Sequence, residues 1–185
     1  MSISYAKTVG LIKMPPTVEI GGRVYPLIKL GDYEIMIENV KDFGTVNTDY
    51  KNASNGQSYY NSSNLNSVFA SQLNDGFTFA TSTIYENIFN SLSGTDQEKS
   101  LKMMGYYSDS WPGNNQSGID LKPWGYTNGN IVIIDSLGSI LFLGIPSTYQ
   151  LAHRITYNGT KLNFSTSGYA WGGGRWAPVR LARHV

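Results

Sequence analysis

The stretch that most restricts the fold is residues 17–40, TVEIGGRVYPLIKLGDYEIMIENV. Its apolar runs are interrupted by Gly21-Gly22 and again by Gly31-Asp32. A Gly-Gly pair between extended runs is a hairpin signal, because tight hairpin turns need positive φ angles that glycine adopts without strain. The stretch therefore reads as an antiparallel β-meander of three strands, 18–20, 23–30 and 33–40. Pro26 lacks an N–H and points to an edge or a bulge in the second strand. In the third, Ile35 and Ile37 fall on one face and Glu34, Met36 and Glu38 on the other, the alternation of a half-buried strand.

The middle of the chain supplies the elements that cover this sheet. Residues 41–63 are polar, rich in Asn, Tyr, Gly and Ser, and read as a long loop. Leu65, Val68, Phe69 and Leu73 then share one helical face, with Asn64 or Ser63 as the cap and Asp75-Gly76 as the stop. After an extended piece at 77–80, Ile84, Ile88, Phe89 and Leu92 mark a second helix over 82–92; Ser82 and Glu86 miss a capping box by one position. Residues 95–104 add a turn of helix, and 105–130 are dense in turn signals. Two short strands, 131–135 and 139–144, flank Leu137-Gly138, and a further hairpin, 151–157 with 161–165, turns at Asn158-Gly159. The last stretch, 168–185 (GYAWGGGRWAPVRLARHV), closes the chain with a strand over 178–185 paired to the meander. The order of elements is α+β: small antiparallel sheets, two helices and a long loop region, without βαβ alternation or tandem repeats. Residues 17–185 read as one domain and residues 1–16, ending in Pro15-Pro16, as an N-terminal docking arm or a loose tail.

Composition narrows the function classes. Charged residues are only 15% and the net charge is +1, so the surface is covered by neutral polar groups and lacks the basic footprint of a nucleic-acid binder. The absence of cysteine removes disulfides, thiolate metal sites and Cys nucleophiles. No apolar run approaches a membrane span, and residues 1–16 show no apolar core of a secretion signal, which suits a protein carried out of the cell inside a virus particle. The 13 Tyr and 4 Trp, set among Ser, Gly and Asn, match the make-up of adaptable binding loops, although β-rich domains share that bias.

Four segments together resemble a known family. They are VEIGGRVYPLIKLGDYEIMIENV at 18–40, DGFTFAT at 75–81, SGIDLKPWGYTNG at 117–129 and APVRL at 177–181. In order and spacing they are similar to the motifs of the Fibrobacter succinogenes major paralogous domain family, and more distantly to C-type-lectin-like variable proteins, including phage receptor binders. Ile35 and Phe77 stand where that family has Trp, and GIPST at 144–148 stands where it has a Trp-Ser-Ser-Thr element. The resemblance implies a C-type-lectin-like fold with paired N- and C-terminal strands, two helices flanking the sheet, and a loop region carrying the binding face. It also implies that Trp124 and Trp176 are core anchors.

Catalytic signals are sparse. His153 sits in a predicted strand and reads as a surface or satisfied residue, as does His184; no nucleophile elbow, zincin or phosphate-loop motif is present. Asp109, Asn114, Asn115 and Asp120 offer hard oxygen donors of the kind Ca²⁺ takes, yet the signatures of calcium-dependent lectins are missing and solvated turn residues are the simpler reading. No cofactor and no metal is expected. The candidate ligand-binding residues are Trp111, Tyr126, Tyr157, Tyr169, Trp171 and Arg175, rings beside Gly, Asn or Pro that stack on sugar faces or anchor protein contacts, with a guanidinium among them. The expectation is a non-enzymatic adhesion module on a phage virion surface, in a tail fibre or capsid fibre, binding a host surface glycan or protein. Residues 1–16 dock it to other virion subunits, as a homo-oligomer of trimeric form, with no nucleic acid and no membrane insertion. The alternatives are a structural head-decoration protein and, from the enzyme class, a glycan-cleaving domain.

Overall fold

A computed structural model describes residues 14–41, 50–52, 58–60, 69–123, 125–127, 132–133, 138–142, 152–167 and 177–185. The meander forms as the glycine turns dictate. β1 (Thr17–Ile20) pairs antiparallel with β2 (Arg23–Leu30), and β2 with β3 (Tyr33–Met36). Gly21, Gly22 and Gly31 all have positive φ. Pro26 lies where one ladder gives way to the next. β1 pairs with β2 as far as Thr17 opposite Pro26, and β3 takes over at Met36 opposite Leu27. The missing N–H thus falls at the hand-over, while the Pro26 carbonyl accepts from Ile37 N at 3.3 Å.

Two short strands, β4 (Tyr50–Asn52) and β5 (Ser58–Tyr60), pair with each other, and Tyr60 bridges to Ala177. Helix α1 (Ala70–Asn74) is followed by β6 (Thr78–Phe79), α2 (Ser82–Ser91) and α3 (Asp96–Met103). The predicted helix over 64–73 is met at its C-terminal end, and Gly76 stops it at φ +83°; Leu65 and Val68 lie outside the described residues. α2 begins at Ser82 as expected, but its cap lies one residue earlier: Thr81, not Ser82, accepts from Ile84 N at 3.0 Å. The capping box belongs to α3, where only a turn was expected. Glu98 Oε2 accepts from Thr95 N at 2.7 Å while Thr95 Oγ1 accepts from Glu98 N at 3.3 Å.

The remaining strands are short: β7 (Tyr106–Ser108), β8 (Trp111–Pro112), β9 (Tyr126–Thr127), β10 (Val132–Ile133), β11 (Gly138–Phe142), β12 (Ala152–Tyr157), β13 (Leu162–Ser167) and β14 (Leu181–His184). The Asn158-Gly159 hairpin is present as β12–β13, with Tyr157 opposite Leu162. Among the described residues, the hairpin expected between 131–135 and 139–144 is not. β10 pairs with β9, and β11 pairs with β12. Such short strands carry no register information of their own, so their partners are chosen by tertiary contacts.

β14 completes the main sheet, whose order is β1-β2-β3-β14-β6. The closing strand does pair with the meander, but with its third strand rather than its first, and Phe79 flanks it on the other side. The result is an α+β fold around a curled antiparallel sheet.

Both faces of that sheet are covered. Tyr25, Leu27, Met36, Phe79 and Leu181 project into one core with Phe69 and Val179. Ile35 and Ala182 project into the other, against Tyr85, Ile88 and Phe89 of α2, Met103, Ile155 and Leu162. Met36, placed by the alternation on the polar face with Glu34, is fully buried, because that face too is roofed. Each such burial contributes about 1.5–3 kcal/mol. An ion pair such as Lys161–Asp96 lies exposed, where solvent screens it and little stability is gained. The two cores therefore hold the sheet, and the surface charges tune it.

The turn-rich segment after α3 folds around that helix's end. A helix leaves its last carbonyls without intrahelical partners. Here Leu101 O accepts from Asn114 N at 2.9 Å, Lys102 O from Ser117 N at 2.9 Å and Met103 O from Leu121 N at 3.0 Å; Met104 O accepts from Asn115 N at 2.8 Å. Gly113 makes this approach possible, since a Cβ there would overlap the Met104 carbonyl. A Gly113→Ala variant is expected to lose about 2 kcal/mol or more of stability, read as a lowered midpoint in urea denaturation.

Arg180, only 3% exposed, ties this wrapped segment to the sheet. Its Nε donates to Asn39 Oδ1 at 2.6 Å, Nη1 to the Ile119 carbonyl and Nη2 to the Asp120 carbonyl at 3.2 Å. Arg180→Ala leaves two buried acceptors and one part-buried acceptor without this donor and is expected to cost about 3 kcal/mol or more. Arg180→Lys is expected to recover little, as one ammonium lacks the fork that reaches all three. An unchanged unfolding midpoint in the alanine variant would count against this role.

Candidate functional site

The sequence-predicted aromatic residues do not form one exposed platform. Trp111 is 2% exposed, and its indole N–H donates to the Leu121 carbonyl at 2.9 Å. Tyr157 is 6% exposed, packs edge-on against Trp111 with ring centroids 6.2 Å apart, and donates its hydroxyl to Gly159 O at 2.8 Å. Both rings are core residues whose polar ends are satisfied by backbone, so the expectation that they face a ligand through exposed rings is corrected. Tyr126 lies on β9 opposite Ile133. Tyr169, Trp171 and Arg175 lie outside the described residues, as do Trp124 and Trp176.

The four oxygen-rich residues singled out for calcium are engaged in turn structure. Asn115, at φ 52°, accepts from Asp120 N at 2.7 Å; Asn114 Oδ1 accepts from Gln116 N at 3.2 Å. Asp120 pairs with Lys122 at 3.0 Å, and Asp109 Oδ1 accepts from the Tyr106 hydroxyl at 3.3 Å. Among the described residues no group of three or more His, Asp and Glu converges on a point where a metal would sit.

His153 is not a surface residue. It is 4% exposed, and its Nδ1 accepts from the backbone N of Ser82 at 2.8 Å, with Ser82 Oγ 2.6 Å away. A serine and a histidine at this separation have the spacing of a nucleophile and its base. Here, however, Ser82 is itself buried at the first turn of α2, and neither residue lines either of the two clefts described below. The imidazole serves the helix, satisfying an N–H that the helix itself cannot. Burial depresses its pKa to about 4, so the ring is neutral over the physiological range. Burial likewise pushes the Tyr85 phenol up to about 12, against the opposing pull of the Arg180 guanidinium.

Two open clefts of similar size mark the described surface. One, of about 490 Å³, lies between β1 and α1. Two of its polar side chains are already committed. Gln72 Nε2 donates to Glu19 O at 2.8 Å, and Arg183 pairs with Glu34 at 2.6 Å while covering the Phe77 ring at 4.8 Å. The other, of about 470 Å³, lies between the start of α3, the β7–β8 turn and the β12–β13 turn. Leu101, Pro112 and the edge of Tyr157 give it an apolar floor. Gln97, Asp109, Ser110 and Asn158 stand around it.

Tyr106 does not line this second cleft but stands next to it, bonded to Asp109 of its lining. It stands opposite Pro112 in the β7–β8 pair, so the two side chains leave the same face. It is 64% exposed, and its neighbour Tyr107 is 43% exposed. Neither was singled out from sequence. Two adjacent tyrosines in a turn-rich stretch have no periodicity, and only the β7–β8 pairing shows them held at the surface. Apolar floor, exposed ring and mixed donors and acceptors are the ingredients of a small-molecule or glycan site.

Compared with known proteins, the chain finds no match: no family model, no curated protein and no solved structure. Among the described residues no helix is long and apolar enough to cross a membrane.

His153 gives a test in pH. Its folded pKa lies below the ordinary 6.5, so the unfolded chain takes up a proton that the buried ring refuses until about pH 4. Its contribution is therefore complete above pH 6.5 and is lost as pH falls from 6.5 towards 4, by at most about 3 kcal/mol. Urea midpoints measured from pH 7 to pH 4.5 are expected to fall, and the fall over this window is expected to flatten in His153→Gln.

Proposed function

We propose that the chain is a non-enzymatic binding module with a C-type-lectin-like fold, displayed on the surface of a phage particle and recognising a glycan or protein of the host surface. The observation that carries this reading is the tyrosine-flanked cleft beside α3, presented by turns that are themselves locked onto the helix end. A rigid frame holding exposed rings and uncommitted polar groups is what a recognition surface needs, because little ordering entropy is lost on contact. The placement of the closing strand within the meander sheet, with α2 packed on one face, supports the fold assignment. The burial of the Ser82–His153 pair supports a role in binding over one in turnover.

The arm docks the module to the particle, and a trimer suits a fibre. Pro16 already belongs to the sheet, since its carbonyl accepts from Leu27 N at 2.8 Å, so a truncation that tests the arm stops short of it, at residue 13. Fluorescently labelled full-length chain is expected to bind intact bacterial cells saturably. A chain lacking residues 1–13 is expected to bind them equally well and to melt at the same temperature, but to be missing from purified particles. Absence of saturable cell binding, with particles that fall apart when the chain is omitted, would replace this reading with a structural decoration role.

A further inference from the structure

We infer that the cleft beside α3 is the ligand site and that it takes a neutral sugar ring of a host glycan; this rests on the binding-module reading. Three features of the cleft define the ligand chemistry.

The first is a fixed donor. Asn158 Oδ1 accepts from Thr160 N at 3.1 Å, Thr160 Oγ1 at 3.0 Å and Lys161 N at 2.8 Å. With its oxygen held by three bonds inside the turn, the amide of this exposed residue is oriented by the turn, which leaves Nδ2 to donate. The second is a fixed acceptor. The Tyr106 hydroxyl holds Asp109 Oδ1 at 3.3 Å and leaves the second carboxylate oxygen to accept. The third is apolar area: the floor of Leu101 and Pro112, with the exposed face of Tyr106 beside it.

A pyranose matches all three. Its hydroxyls donate and accept at once, so one hydroxyl can donate to the carboxylate while another accepts from the amide. Its C–H face is apolar and lies flat on an aromatic ring or a proline. Charge narrows the class further. Asp109 is the one charged residue lining this cleft among the described residues. A sulfated or sialylated ring would bring a second negative charge against it, whereas a neutral hexose does not. A flat apolar protein epitope would cover Asp109 and Asn158 without satisfying them, which disfavours a protein ligand.

The test uses the full-length chain on an array of neutral, sulfated and sialylated glycans, with affinities of the hits measured by calorimetry. Neutral hexose-bearing glycans are expected to be bound. Asp109→Asn and Tyr106→Ala are each expected to weaken binding about tenfold or more. Asn158→Asp keeps the turn's acceptor and removes the outward donor, and is expected to weaken binding similarly with an unchanged melting temperature. Val24→Thr, at an exposed position of the β1–β2 hairpin outside the cleft, is expected to bind as the parent does. Glycan binding that survives all three cleft variants would overturn the assignment of the site while leaving the module's role intact. So would saturable cell binding that is abolished by protease treatment of the cells with no glycan bound. Preference for acidic glycans would overturn the ligand class. Loss of every form of cell binding would remove the binding-module reading, and this inference with it.

Discussion

A single buried guanidinium joins the parts of this protein that lie far apart in sequence. Arg180 on the closing segment reaches Asn39 beyond β3 and the carbonyls of Ile119 and Asp120 in the turns after α3. Taking an arginine out of water is expensive, and here it is repaid by neutral acceptors, none of them a carboxylate. That choice of partners has a structural meaning. A carboxylate partner would pin one side chain to one side chain, whereas two backbone carbonyls pin the path of the chain itself. Asp120, at φ 51°, sits in the left-handed region that a non-glycine residue adopts only when its surroundings demand it.

From that anchor the candidate site follows in order. Arg180 fixes 119–120, the turn amides of 114–121 close the end of α3, and the β7–β8 turn projects from the same wrapped segment with Tyr106 and Asp109 at its surface. Trp111 and Tyr157, though not surface rings, belong to this arrangement. Packed edge to face beneath the turns, they join the β7–β8 turn to the β12–β13 turn, the two that border the cleft. The rings hold the rim in place from below.

Much of the frame was legible in the sequence, because local chemistry forces it. Gly21-Gly22 and Gly31-Asp32 leave the meander few alternatives, Asn158-Gly159 sets its hairpin, and the spacing of Ile84, Ile88 and Phe89 marks α2. What was misread depends on partners remote in sequence. An indole between Ser110 and Pro112 looks like a surface ring until the Leu121 carbonyl is found against its N–H. His153, read as a surface or a satisfied strand residue, proves to be the buried, hydrogen-bonded one, and only Ser82, 71 positions away, decides between the two. The short strands β10 and β11 were read as strands but matched to each other, and β9 was read as turn, since strands this short have little pattern to specify a partner. The cleft itself had no sequence signal, being assembled from two turns and a helix start.

The position of β14 has a consequence for how the molecule is made. The backbone of Leu181 meets the sulfur of Met36 across 145 positions of chain, and β3 and β6 touch the same late strand on either side. During synthesis the meander leaves the ribosome long before the strand that finishes its sheet. Until then β3 carries an open edge, with apolar side chains on both its faces. Such non-local closure makes for slow folding and a nascent chain that is prone to pair with its neighbours. A protein built this way reaches its native state only after most of it has been translated, and its yield in a cell will depend on how well that waiting edge is shielded.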